Sequence, residues 1–146
     1  MYPGKLDDKG RLKIPASFLK YFADLKETKL FVTSLNRTTV QIYTNSAWRA
    51  KKAALMSAKG SAKAAADGII LSAAFLGTDV EIDVSGRVTF NSVLRQELKL
   101  DGQSLQVLAT RDRLEVMPAA LFDERNRRAA ATAEADMAEL EAEGLL

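Results

Sequence analysis

The chain has 146 residues, 47% of them hydrophobic, and its 21 Lys and Arg stand against 19 Asp and Glu for a net charge of +2, which is ordinary material for one or two small folded domains. It contains neither histidine nor cysteine; disulfides, the usual transition-metal ligands and the usual general base near neutral pH are therefore missing, so the sequence predicts no enzyme, no metal and no cofactor. No stretch approaches the roughly 20 apolar residues that cross a bilayer and nothing resembles a signal peptide, so a cytoplasmic protein with no membrane partner and no small-molecule substrate is expected.

The basic residues Lys5, Lys9, Arg11, Lys13 and Lys20 crowd the first turns of chain, against Asp7 and Asp8. Leu6-Asp7-Asp8-Lys9-Gly10-Arg11-Leu12-Lys13-Ile14 reads as a strand, a tight reversal and a second strand. Gly10 is placed where φ is positive and a side chain would be penalised. Asp7 can brace the reversal by accepting turn N–H groups or by pairing with Arg11, and Arg11 can serve as a brace or as a ligand contact. Strand alternation sets Lys9, Arg11 and Lys13 on one face over an apolar floor of Leu12 and Ile14. A solvated strand face is the plain alternative.

A short helix carrying Phe18 and Phe22 follows, then Leu30-Phe31-Val32, a polar turn at Leu35-Asn36-Arg37, and the strand Val40 to Tyr43. A helix over Ser46 to Met56 has Thr44, Asn45 or Ser46 as its N-cap, Trp48 as its first-turn anchor and Gly60 as its stop. From Asn45 to Ala66 there are five bases and no acid. Ala62 to Leu76 predicts a second helix, with its pattern interrupted near Asp67-Gly68 and its end at Gly77.

The opening motif then returns as Ile82-Asp83-Val84-Ser85-Gly86-Arg87-Val88-Thr89-Phe90. Leu94 and Leu98 answer to Phe18 and Phe22, Leu105-Gln106-Val107 to the third strand, and Leu114 to Met117 to the fourth. Asp83, Gly86 and Arg87 repeat the brace, the positive-φ glycine and the outward guanidinium, while Ser85 and Thr89 stand in for Lys9 and Lys13, so the two halves should not bind equally. A unit this small rarely buries its own strand edges, so the copies are expected to pack together as one joint barrel. Pro118 to about Glu141 is Ala-rich and helical in propensity, and its end is acidic, with Glu134, Asp136, Glu139, Glu141 and Glu143.

The duplicated Asp-x-x-x-Arg motif, followed each time by a short helix, resembles the MraZ family of bacterial DNA-binding regulators, within the superfamily of AbrB-like swapped hairpins. The resemblance implies an α+β protein: a swapped-hairpin AbrB-like β-barrel from two tandem repeats, with a helical insert and a C-terminal helix. The corresponding divisions are 1–48, first repeat; 49–77, helical insert; 78–122, second repeat; and 123–146, C-terminal helix and acidic tail. It also implies double-stranded DNA as partner, ring-shaped homo-oligomers, a nucleoid-associated location, and regulation, usually repression, through short direct repeats in the promoter of the division and cell-wall gene cluster. Carried onto this chain, the DNA contacts are Arg11 and Arg87, with Lys9 and Lys13 beside the first and Lys20 and Arg95 in the helices after the turns.

The chain departs from the family pattern in three places. Few residues precede Asp7, so the first strand should be short. Asn91 stands where the family repeats a proline, and it can cap the next helix. Ala64 to Leu76 is mostly apolar where relatives carry arginines, which favours packing. The competing functional reading is an AbrB-like antitoxin or protein-interaction hub using the acidic tail from Glu134 to Leu146. Binding of RNA or single strands would need exposed aromatics, whereas Phe18, Phe22, Phe31, Tyr43, Trp48, Phe75 and Phe122 mostly follow the apolar periodicity of a core.

Overall fold

Both copies run strand, strand, helix, strand, strand, but they trade strands with one another. In the computed structural model, which describes residues 1–146, the first copy comprises β1 (Tyr2–Gly4), β2 (Arg11–Lys13), α1 (Ala16–Asp24), β3 (Lys29–Thr33) and β4 (Val40–Thr44). After α2 (Asn45–Met56) and α3 (Ser61–Leu76) come β5 (Thr78–Glu81), β6 (Arg87–Thr89), α4 (Ser92–Leu98), β7 (Leu105–Thr110) and β8 (Arg113–Pro118), and α5 (Ala119–Ala142) closes the chain. The fold is α+β with antiparallel sheets: a six-stranded sheet in the order β1-β7-β8-β4-β3-β5, and a separate two-stranded ribbon of β2 and β6. These hydrogen-bonded ladders do not close on themselves, and the larger sheet ends at β1 and β5.

Only the β3-β4 and β7-β8 hairpins stay within a copy. β1 pairs with β7, β5 with β3, β4 with β8 and β2 with β6, so every other ladder joins the two halves. The strands on either side of each Asp-Gly-Arg turn therefore belong to different sheets and do not form the local hairpin that the sequence suggests. Exchange covers strand edges that a unit of this size would leave open. β1 has 3 residues to the 4 of β5.

The core is one cluster of 18 buried residues drawn from both copies. Leu12, Ile14, Val88 and Phe90 enter it from the ribbon, Leu30, Val32, Val40, Ile42, Leu105, Val107, Leu114 and Val116 from the large sheet, and Phe22, Leu94 and Leu98 from the helices. At roughly 1.5–3 kcal/mol for each large side chain fully buried, this shared core dominates the folding energy. No single copy owns it.

Among the three cap candidates of α2, Thr44 takes the role, its Oγ1 accepting the Ala47 N–H at 3.1 Å. Trp48 anchors the helix by stacking on Phe31 at 4.8 Å and tilting against Tyr43 at 5.5 Å. Gly60 does not stop α2, which ends at Met56 with Ser57 as its C-cap; with φ of 63° Gly60 is instead the N-cap of α3. α3 continues through Asp67-Gly68 without interruption, because Ala66, Ser72, Ala73 and Leu76 pack inward and offset the roughly 1 kcal/mol that a mid-helix glycine costs relative to alanine. The Thr33 hydroxyl also donates to the Ala73 carbonyl at 3.0 Å.

Asn91 caps α4 by accepting the Leu94 N–H at 2.8 Å, so the missing proline leaves the helix start intact. Phe75 departs from the expected core placement: it is exposed, with the Arg37 guanidinium 5.5 Å above its ring. No helix is long and apolar enough to cross a membrane.

Candidate nucleic-acid interface

Each motif turn is built by one aspartate. Asp7 Oδ1 accepts the backbone N–H groups of Lys9 at 3.0 Å and Arg11 at 2.9 Å, and Oδ2 accepts Arg11 Nε at 2.7 Å. Asp83 does the same with Ser85 N at 2.9 Å, Arg87 N at 2.9 Å and Arg87 Nε at 3.0 Å. The N–H of Arg11 and that of Arg87, together with the flanking N–H and the guanidinium, hold the Asp7 and Asp83 carboxyls below their usual range, against a smaller opposing effect of desolvation. Both carboxylates are thus ionised and occupied as braces at neutral pH.

Gly10 and Gly86 sit at φ of 75° and 76°, the left-handed region that favours glycine. Each is also overlaid by the opposite copy: a Cβ on Gly10 would lie 2.5 Å from Arg95 Nε, and one on Gly86 would lie 2.7 Å from Leu19 Cδ1. The turns are therefore locked crosswise. Ile14 N donates to the Gly86 carbonyl at 2.9 Å and Phe90 N to the Gly10 carbonyl at 2.8 Å, which extends the ribbon into both turns.

In that ribbon Arg11 lies opposite Thr89, Leu12 opposite Val88 and Lys13 opposite Arg87. Leu12 and Val88 are sealed in the core, so alternation puts Arg11, Lys13, Arg87 and Thr89 together on the outward face. The two motif arginines converge: Arg87 Nη1 lies 3.9 Å from Asp7 Oδ2, the same oxygen that accepts Arg11 Nε. Their side chains are 26% and 31% exposed. Each carboxylate takes its own arginine's Nε, and the Nη1 end of Arg87 lies toward Asp7.

The remaining candidates divide. Lys9 is exposed beside the first turn. Lys13 is exposed on the ribbon and its Nζ donates to the Ser85 carbonyl, tying it to the second turn. Lys20 is exposed on α1. Arg95 reaches the first turn but is committed, with Nε donating to the Phe90 carbonyl at 3.1 Å and Nη1 paired with Asp101 at 3.0 Å; its place is that of a support under Gly10. Val84, at the tip of the second turn, is 107% exposed, an apolar side chain that the motif reading left without a role. Its signal was a valine where the first copy has Asp8.

The chain is 33% identical over 103 residues to a transcriptional regulator MraZ of Koribacter versatilis, an alignment covering 70% of this chain and 69% of the relative. It belongs to the MraZ family of transcriptional regulators. A second MraZ regulator, from Acidobacterium capsulatum, is 29% identical over 104 residues, with 69% of this chain and 68% of the relative aligned. No family model matches the chain. MraZ membership makes the protein a non-enzymatic regulator of transcription.

Proposed function

We propose that the outward face of the β2-β6 ribbon binds double-stranded DNA, with Arg11 and Arg87 as the principal contacts and Lys9 and Lys13 as flanking phosphate contacts. The observation that carries this reading is the convergence of the two arginines around Asp7 on a face whose reverse side is core. A two-stranded antiparallel ribbon fits the width of a major groove, and a guanidinium held at Nε presents its Nη atoms to the O6 and N7 of guanine. Val84 is suited to an apolar contact with a thymine methyl. Lys20 and Arg95 play lesser parts, the first as a phosphate contact from α1 and the second through the turn it supports.

On this reading the strand exchange is that of an AbrB-like swapped-hairpin barrel, and the chain acts as a repressor at short direct repeats in the promoter of the division and cell-wall gene cluster, including its own. Ring-shaped homo-oligomers would present several ribbons to successive repeats, making every contact after the first effectively intramolecular. The test is titration of the DNA upstream of this gene at several salt concentrations with wild type, Arg11→Ala, Arg87→Ala and Lys59→Ala. The arginine variants are expected to bind at least tenfold more weakly and the Lys59 variant like wild type. Equal binding by all four would remove the ribbon from the interface.

A further inference from the structure

A cavity of about 570 Å³ lies between α1 and the turn that joins β7 to β8, within the roughly 300–1,000 Å³ of small-molecule sites. Phe18, Tyr21 and Phe22 of α1, Ile42 of β4 and Leu114 of β8 give it apolar walls. The charged residues that line it are Arg111, Asp112 and Arg113. Two of them are spent: Asp112 pairs with Lys51 at 3.2 Å and with Arg113 at 3.1 Å, and Arg113 pairs with Glu115 at 2.9 Å. Arg111 is left without an ion pair or a side-chain hydrogen bond. It also sits at φ of 28°, in the left-handed region where any residue but glycine is strained. Beside it Thr110, another lining residue, has a buried Oγ1 with no hydrogen-bond partner. Both groups cost stability as they stand and gain from an acceptor placed in the cavity.

The hairpin of the first copy shows which partners such an arginine takes. Between β3 and β4 the residue at positive φ is again an arginine, Arg37 at 61°. Its Nε donates to Ser72 Oγ at 3.1 Å, its Nη1 meets Glu97 Oε1 at 3.5 Å, and its guanidinium stands 5.5 Å from the centre of the Phe75 ring. A hydroxyl, a carboxylate and an aromatic face therefore surround it, brought by α3 and α4. Neither source exists at Arg111. The chain has one α3, which is engaged with Arg37, and Tyr21 of α1 stands where α4 has Glu97, since Phe18 and Phe22 answer to Leu94 and Leu98. We infer that this cavity binds a small aromatic carboxylate. The carboxylate accepts hydrogen bonds from Arg111 and from Thr110 Oγ1, and the ring packs among Phe18, Tyr21 and Phe22. Asp112, held between Lys51 and Arg113, leaves the Arg111 charge available. The site uses neither the ribbon nor the motif arginines, so it stands apart from the DNA reading.

The probes are naphthoate and its neutral counterpart naphthamide, titrated into the full-length protein by calorimetry. Naphthoate is expected to saturate a single site per chain, and naphthamide to bind about tenfold more weakly for want of the charge-assisted hydrogen bonds. Two variants separate ligand contact from folding. Arg111→Gly removes the guanidinium and relieves the backbone, while Thr110→Val removes the unmet hydroxyl at nearly equal volume. Each should weaken naphthoate about tenfold, yet unfold without ligand at a temperature no lower than wild type. Naphthoate that does not saturate, naphthamide that binds as tightly, or naphthoate binding unchanged in both variants overturns the inference. Lowered unfolding temperatures in both variants would make Thr110 and Arg111 supports of the fold and overturn it equally.

Discussion

The two motif turns have the same skeleton and different surfaces. In each, an aspartate accepts two backbone N–H groups and one guanidinium Nε, and a glycine near φ of 75° closes the reversal. Around that skeleton the first turn carries Asp8, Lys9 and Lys13, and the second carries Val84, Ser85 and Thr89. The geometry that aims a guanidinium is thus independent of the charge around it. Duplication kept the brace in both copies and left the flanks free to diverge, one turn polar and basic, the other nearly neutral with an apolar tip.

The arginines offer the widest way to break this comparison. If both aim at bases, Arg11→Ala and Arg87→Ala should each lose roughly 1–3 kcal/mol of discrimination against a mutated site, read as the ratio of affinities for the repeat and a scrambled fragment. A loss confined to Arg11 would make the second turn structural only. Next come the glycines. Gly10→Ala and Gly86→Ala should each cost about 1–3 kcal/mol of stability in chemical denaturation, because each places a Cβ at positive φ against the opposite copy. A neutral result at either would mean that the turns are not locked crosswise.

Smaller effects sharpen the contrast. Asp7 faces both arginines, whereas Asp83 holds Arg87 alone, so Asp7→Asn should weaken DNA binding more than Asp83→Asn. Both carboxyls titrate lower in the folded protein than in the unfolded chain. Their contribution to stability is therefore full above the ordinary carboxylate range and is lost as pH falls through the depressed values. Acid unfolding curves of either Asn variant should be flatter on that limb than wild type. Smallest is the flank: Lys9→Ala should lower the slope of log affinity against log salt by about 0.9, the share of one phosphate contact, while Ser85→Ala should leave the slope unchanged.

What was legible in the chain was local or repeated. The positive φ of Gly10 and Gly86, the aspartate brace, the caps at Thr44 and Asn91 and the Trp48 anchor all depend on residues within a few positions or on one apolar stripe. The exchange of strands was not legible as pairings, because β1 and β2 satisfy the alternation rule equally well against a near or a distant partner, and only the shared core selects the distant one. Gly60 and Gly68 misled for a related reason. A glycine marks a helix end only where tertiary packing leaves the helix free to stop, and α3 is pinned by Ala66, Ala73 and Leu76 on both sides of Gly68.

At the candidate interface the motif arginines were named from sequence, but their meeting at Asp7 depends on the β2-β6 register, which no local pattern encodes. Arg95 shows the converse. Its position after the turn matched a contact, yet Asp101 and the Phe90 carbonyl hold it.

The most direct measurement follows the Nε–H resonances of Arg11 and Arg87 by NMR, assigned through Arg→Lys variants, while a duplex carrying the promoter repeat is added. A single ribbon face that meets DNA requires both signals to move together and to saturate at the same DNA concentration. Binding of the duplex with both resonances unmoved would contradict it.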